Sequence, residues 1–490
     1  MIAADPSASG SGWQGHAERT PMADYAMTID GIPVGADADF GVINPATARV
    51  IARVPVCTPE QLDRAMAAAA KAFPIWSRAD DVRRAVLREA AGTVLGSVTE
   101  LARLVTAEQG KTRAEAVAEV RAAGRWLRYY AGLDIPREVV RGRHTIAEVL
   151  HRPLGVVVAI PARNYPVGLA LAKIAPALRA GNTMVLKPSP YTPLATLELG
   201  RLLGEVLPSG VLNVVSGPEP LGAHLVTHRT PCAISFTGST ATGRWVASAA
   251  GAALKRARLE LGGNDAAIVL DDADPEAIAD ALFWAAFANS GQRCRAVKRL
   301  YVAASGYRAM VDALADRART VRVGNGSQRT SQLGPVGTRR QLDRISDLVG
   351  DALARGGIAA AGGTALRRPG YFYAPTILAG VSDGMRVVDE EQFGPVLPVI
   401  GYRDLDEAVR RANGTGYRLS ASVWSPDEDR AAAVAARLDA GLVSVNDHAG
   451  APRPDLPPAG LGAGSGLSAF SDAQVLSRPA RNAEGAPAAD

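Results

Sequence analysis

Four short apolar runs, Gly155–Ile160, Asn182–Leu186, Leu212–Val215 and Ala233–Phe236, recur in the first half of the chain, each followed by a stretch of helical spacing. Strands that alternate with helices return to one sheet as parallel neighbours with helices covering both faces, the doubly wound α/β class used for nucleotide binding. A second series, Ala266–Leu270, Leu300–Val302, Val396–Ile400 and Ser420–Trp424, repeats the pattern. Since 490 residues exceed one ordinary core, two doubly wound domains are expected. Upstream, Gln61–Ala107 is Ala-rich with helical apolar spacing broken near Trp76, which predicts two helices and a turn; Arg113–Ala131 predicts another helix. Glu138–Leu154 alternates charged and β-branched residues and predicts an exposed hairpin, either plain surface or one that pairs with another subunit.

The 54 basic and 49 acidic residues are spread along the chain, so the clustered footprint of a nucleic-acid or membrane binder is missing and neither partner is expected. No run approaches the roughly eighteen unbroken apolar residues of a membrane span. Cys57, Cys232 and Cys294 lie far apart, without zinc-site spacing or the density of a secreted scaffold, which predicts no metal site and a cytoplasmic protein. Residues 1–24 and 481–490 are small, polar and charged, and are expected to be loose tails.

Cys294 stands in FANSGQRCRAVKR, after two polar residues and a Gly unlike those of a core strand. A lone cysteine is commonly an inert core residue, but Arg293 and Arg295 flank this one with charge that favours thiolate. Glu260, in LELGGND, sits between two leucines; a carboxylate in an apolar stretch tends toward a raised pKa, which suits a general base, and the alternative is a solvated strand-end carboxylate. Asn164 lies in a strand-to-helix turn, where it either caps a helix or donates its amide to a developing oxyanion. Lys187 follows a strand at the edge where parallel sheets bind ligands. Gly238 to Gly243, in FTGSTATGRW, spans another strand-to-helix turn whose backbone N–H groups can hold phosphate, though it is no G-x-G-x-x-G fingerprint.

Together, in this order, these motifs resemble the aldehyde dehydrogenase superfamily from about Ile43 to Ser477. The resemblance implies a dinucleotide-binding domain (25–137 and 155–260), a catalytic domain (261–456) and an oligomerisation element (138–154 and 467–480) that assembles dimers or tetramers. It implies that Cys294 is the nucleophile, that Glu260 activates the deacylating water, and that Asn164 shares the oxyanion with the cysteine's backbone N–H. NAD or NADP is the implied cofactor, placed by Lys187, Ser189, Pro190, Gly217, Phe236, Gly238, Ser239, Gly243, Leu261, Glu391 and Phe393. Thiolate attack on an aldehyde gives a thiohemiacetal, hydride passes to the nicotinamide, and water releases the acid.

The chain also departs from the pattern. Arg163 replaces the usual aromatic before the asparagine, so Arg163, Arg293 and Arg295 surround the reacting groups in sequence and suggest an anionic or strongly polar aldehyde, unless they are plain surface arginines. Pro190 replaces a glutamate that holds the adenosine ribose, which leaves NADP open. Pro458 and Ala459 alter a loop that walls the family's substrate tunnel. Two other functions fit the fold: CoA acylation, against which Glu260 argues, and a binding protein without activity.

Overall fold

The computed structural model describes residues 25–448, 450 and 466–480; the expected tails and the altered loop at Pro458 and Ala459 lie outside them. The first sheet has the order Arg256–Glu260, Ala233–Thr237, Val156–Ile160, Thr183–Leu186, Leu212–Val214, Met27–Ile29, Ile32–Val34. The first five strands run parallel and the last two antiparallel. The chain starts the parallel part at Val156–Ile160, adds strands on one side, then crosses to place Ala233–Thr237 on the other. That crossing is a topological switch point, where the loops after the two adjoining strands diverge and leave a crevice. Val157, Val158, Met184, Val185 and Leu186 are all fully buried, as strands covered on both faces require.

Three helices, Pro59–Trp76, Asp80–Gly96 and Val98–Gln109, fill the stretch expected to hold two. Pro74 sits in the last turn of the first, which ends at Trp76. The following helix, Arg113–Gly132, opens with a capping box in which Thr112 and Glu115 satisfy each other's backbone N–H groups.

The second sheet has the order Ile358–Ala361, Thr376–Ala379, Val396–Tyr402, Val297–Ala303, Asp265–Val269, Ser420–Trp424, Leu442–Val445, parallel except for its first pair. Separate apolar clusters cover its two faces, so it too is doubly wound. The expected hairpin forms from Arg137–Arg141 and Thr145–Pro153, and Ser471–Pro479 pairs along the whole second strand. Val139, Val140, Val475 and Leu476 on this three-stranded sheet are exposed. No helix among the described residues is long and apolar enough to cross a membrane.

Candidate active site

The cysteine turn is built under strain. Asn289 and Ser290 adopt left-handed backbone conformations at φ 54° each, and Gly291 follows at φ 70°. For the two residues with side chains this costs on the order of 1–2 kcal/mol each, and the surroundings compensate. Asn289 N–H donates to Glu115 Oε1 at 2.6 Å, Ser290 Oγ donates to the Gly334 carbonyl at 2.7 Å, and Gln292 Nε2 donates to the Asn289 carbonyl at 3.1 Å. The turn ends at half-buried Cys294, just before strand Val297–Ala303. Burial pushes the Cys294 thiol up to about 11; Arg295 and, less, Arg293 pull the other way, while Asp265 and Glu391 add to the rise. The flanking arginines therefore oppose a neutral resting thiol without overcoming it.

Asn164 is buried in the turn between strand Val156–Ile160 and helix Pro166–Ala180. It does not cap that helix. Its Nδ2 donates to the Gln292 carbonyl at 3.0 Å, two residues before the cysteine, which occupies one of its two N–H groups. The turn itself is clamped by a buried ion pair that the sequence reading missed. Lys111 Nζ donates to Glu119 Oε2 at 2.7 Å and to the Asn164 carbonyl at 2.8 Å, and lies 3.4 Å from the centroid of the Tyr165 ring. Glu119 Oε1 accepts from the Val167 and Gly168 N–H groups at 3.0 and 2.9 Å. One carboxylate thus holds both the helix start and the lysine that fixes Asn164.

Glu260 ends the edge strand of the first sheet, with its side chain about a quarter exposed (26%) beside Arg258 at 3.4 Å. The segment after it runs to the cysteine: a Cβ at Gly263 would lie 2.3 Å from the Cys294 carbonyl oxygen, and one at Gly262 would lie 2.1 Å from Glu391 Oε2. These approaches bring LELGG, the cysteine turn and the Glu391 loop into direct contact, and the Gly263 N–H donates to Glu391. Burial pushes the Glu391 carboxyl up to about 7 against the pull of Lys298. Lys298, also buried, donates to the Gly394 carbonyl at 2.7 Å and anchors the loop that carries Phe393.

Lys187, Gly217, Gly238 and Ser239 all follow carboxyl ends of parallel strands in the first sheet. Lys187 is buried, donates to the Pro188 carbonyl at 3.2 Å, and is pushed down to about 8 by burial. Ser189 Oγ accepts from the Tyr191 N–H and Pro190 lies in the same turn. Gly238 differs from expectation: its N–H already donates to the Glu260 carbonyl at 3.1 Å, because edge strand Arg256–Glu260 continues the ladder to that point. Ser239 caps helix Thr240–Ala252 through Thr242 N–H. The close approaches at Gly238 and Gly243 are to Phe236 and Leu261, where a Cβ would meet side-chain carbons at 2.4 and 2.3 Å, and Gly217 abuts Leu221 in the same way.

The three arginines that cluster in sequence separate in space. Arg163 turns to the Glu391 loop, with its guanidinium 5.2 Å from the Phe393 ring centroid and Nη2 donating to Gln341 Oε1 at 3.2 Å. Arg293 and Arg295 stay half-buried at the cysteine and enter no ion pair or side-chain hydrogen bond among the described residues. Cys294, Asp265 and Glu391 all precede or begin strands of the second sheet, where its amino edge meets the carboxyl edge of the first. Lys173, a lone lysine on the apolar helix LALAKIAPAL, was the one missed cation with a sequence signal; it donates to Ser235 Oγ at 3.1 Å, and burial pushes it down to about 7 against the pull of Glu260.

The sequence profile of the aldehyde dehydrogenase family matches residues 34–478. An aldehyde dehydrogenase of a Fusarium species is 37% identical over 430 residues, covering 87% of this chain and 90% of its own. A betaine aldehyde dehydrogenase of Cereibacter sphaeroides is 38% identical over 427 residues, covering 86% and 88%. Among solved structures, the NAD+ complex of an aldehyde dehydrogenase from Bacillus cereus superposes with a TM-score of 0.90 at 32% identity, covering 93% of this chain and 96% of that one. A betaine aldehyde dehydrogenase of Staphylococcus aureus, in complex with NAD+ and with a mercaptoethanol-modified cysteine, gives 0.89 at 32% identity over 93% and 97%. With the profile spanning nearly the whole chain and the fold matching throughout, the chain belongs to the aldehyde dehydrogenase family.

Proposed function

We propose that this enzyme oxidises a polar or anionic aldehyde to the carboxylic acid through a thioester on Cys294, with NAD or NADP as electron acceptor. The observation that carries the reading is the convergence of the Asn164 turn, the Glu260–Gly263 segment and the Cys294 turn on one another through direct contacts. In the first half-reaction the thiolate adds to the carbonyl carbon, and the second N–H of Asn164 Nδ2, with the Cys294 backbone N–H, takes up charge on the oxygen. In the second, Glu260 accepts a proton from water, the hydroxyl oxygen adds to the thioester carbon, the C–S bond breaks and the thiolate is restored. Because burial holds the resting thiol neutral, a base must remove its proton as the aldehyde engages.

The residues at the sheet edge fit a dinucleotide. Lys187 and Ser239 stand at the carboxyl edge beside the switch point, and two buried polar atoms there, Thr237 Oγ1 and Arg163 Nε, have no partner among the described residues. Glu391 and Phe393 would hold the nicotinamide ribose. When bound, the nicotinamide supplies the acceptor for the two electrons and the hydrogen that leave the aldehyde carbon. The NAD+ complexes of two neighbours support NAD, and Pro190 leaves no carboxylate in that turn to repel a 2′-phosphate. We assign residues 25–137 with 155–260 to dinucleotide binding, 261–456 to catalysis, and the three-stranded sheet with its exposed valines to homodimer or homotetramer contacts.

Arg293 and Arg295 support the substrate class. Two half-buried guanidiniums beside the nucleophile, without a carboxylate partner among the described residues, favour an anionic group on the aldehyde and disfavour a cation such as the betaine aldehyde named for the Cereibacter relative. Arg163, turned to Phe393, belongs with the cofactor loop instead. The test is kcat/KM across carboxylate-bearing, neutral and quaternary-ammonium aldehydes for wild type, Arg293→Ala and Arg295→Ala. At least one variant should lose roughly tenfold to a hundredfold on the anionic aldehydes alone, as expected for one charge-assisted hydrogen bond; an equal loss on all three classes would refute the substrate assignment.

A further inference from the structure

Arg258 precedes Glu260 by two residues on edge strand Arg256–Glu260, so both side chains leave the same face. The parallel register sets Ser235 beside Arg258 and Thr237 beside Glu260. Lys173 reaches this face from its helix to donate to Ser235, and Tyr130, from helix Arg113–Gly132, lies close enough to feel the Arg258 charge. The Glu260 carboxylate therefore stands on a patch carrying two cations and a phenol. Arg258 Nη2 donates to Glu260 Oε1 at 3.4 Å, a single long contact unlike the paired short bonds of a committed arginine–carboxylate pair. Its Nη1 is buried with no acceptor among the described residues, and the guanidinium is steadied by the Phe470 ring, 5.5 Å from its centroid.

The charges that act on Cys294 are those of Arg295, Asp265, Glu391 and Arg293, whereas Glu260 and Arg258 act together on Lys173. The contact with Arg258 sets the carboxylate on the edge-strand face, beside Thr237. We infer that Arg258 is a positioning residue that parks Glu260 on this face while the thioester forms and releases it for hydrolysis. The inference rests on Cys294 and Glu260 having the roles proposed above. A loose tether suits the task, because a carboxylate held by two short bonds could not leave, and an untethered one would bring water and negative charge to the thiolate before the aldehyde is oxidised. After release, Glu260 takes a proton from water, the oxygen adds to the thioester carbon and the sulfur departs as thiolate.

The test isolates hydrolysis. The full-length enzyme is acylated with p-nitrophenyl acetate, excess ester is removed, and decay of the acyl adduct on Cys294 is followed by intact mass and peptide mapping. Arg258→Met should shorten the adduct's lifetime by about twofold to fivefold, the range that one loose, partly exposed ion pair supports, and Arg258→Lys should restore the wild-type lifetime. Arg258→Gln, which keeps a donor of similar reach without the charge, serves if the Met variant does not fold. A lifetime that is unchanged or longer in the neutral variants overturns the parking role. No adduct on wild-type Cys294 is a different result: it refutes the nucleophile assignment itself.

Discussion

Burial raises the Cys294 thiol from 9.0 to about 11, and this sets how the cysteine should react with an alkylating agent. Only the thiolate attacks. At about pH 8 a thiol with pKa 9.0 is roughly one-tenth ionised, whereas one near 11 is roughly one-thousandth ionised, so Cys294 should be alkylated about a hundredfold more slowly than an unperturbed thiol. The rate should climb about tenfold per pH unit and show no plateau below about pH 10. Arg295 gives the largest opposing contribution, so Arg295→Ala should slow alkylation by a further twofold to tenfold, roughly the effect of one partly screened charge. The assay is iodoacetamide labelling against pH, read on the Cys294 peptide so that exposed Cys232 and buried Cys57 do not contribute. A plateau at or below about pH 8 would show that the flanking arginines outweigh burial, and would refute the neutral resting thiol.

Two further predictions concern the scaffold. Lys111→Met leaves the Glu119 carboxylate buried without its cation and should destabilise the first domain by about 3–5 kcal/mol in urea unfolding; combining it with Glu119→Gln should cost less than the sum of the two single changes, and strict additivity would refute the coupling. Gly291→Ala places a Cβ at 2.1 Å from the Gly394 carbonyl oxygen in a residue at φ 70°. It should lower stability by at least about 2 kcal/mol and abolish cysteine reactivity, whereas an unaffected melting temperature would show that the turn relaxes freely.

Much of this was legible in the sequence because the signals were local. The two series of apolar runs gave both parallel sheets, and Glu138–Leu154 gave the hairpin, since strand periodicity and helical spacing are written in neighbouring residues. The N-terminal strands were overlooked although a signal was present: Asp30-Gly31 takes φ 55° and 78°, the backbone of a tight hairpin turn that Asp-Gly favours. Strand Arg256–Glu260 hid behind its charges, because its edge position leaves Arg256 open to solvent and lets arginines alternate along it. At the site, the motif residues were visible, but the cations packed around them were not. Lys111, Arg258 and Lys298 look like surface residues until folding brings Glu119, Glu260 and the Gly394 carbonyl to them from 8, 2 and 96 residues away. Arg163 shows the converse, since adjacency in sequence to Asn164 did not decide which way its side chain turns.

The most direct test of the account is aldehyde-dependent reduction of NAD+ and NADP+ by the wild type and by Cys294→Ala, read by nicotinamide absorbance with nucleotide binding measured in parallel. The wild type should reduce nicotinamide on anionic aldehydes, and a Cys294→Ala variant that still binds nucleotide should lose that turnover. Turnover that survives without Cys294, or a wild type that binds nucleotide but oxidises no aldehyde, would contradict it.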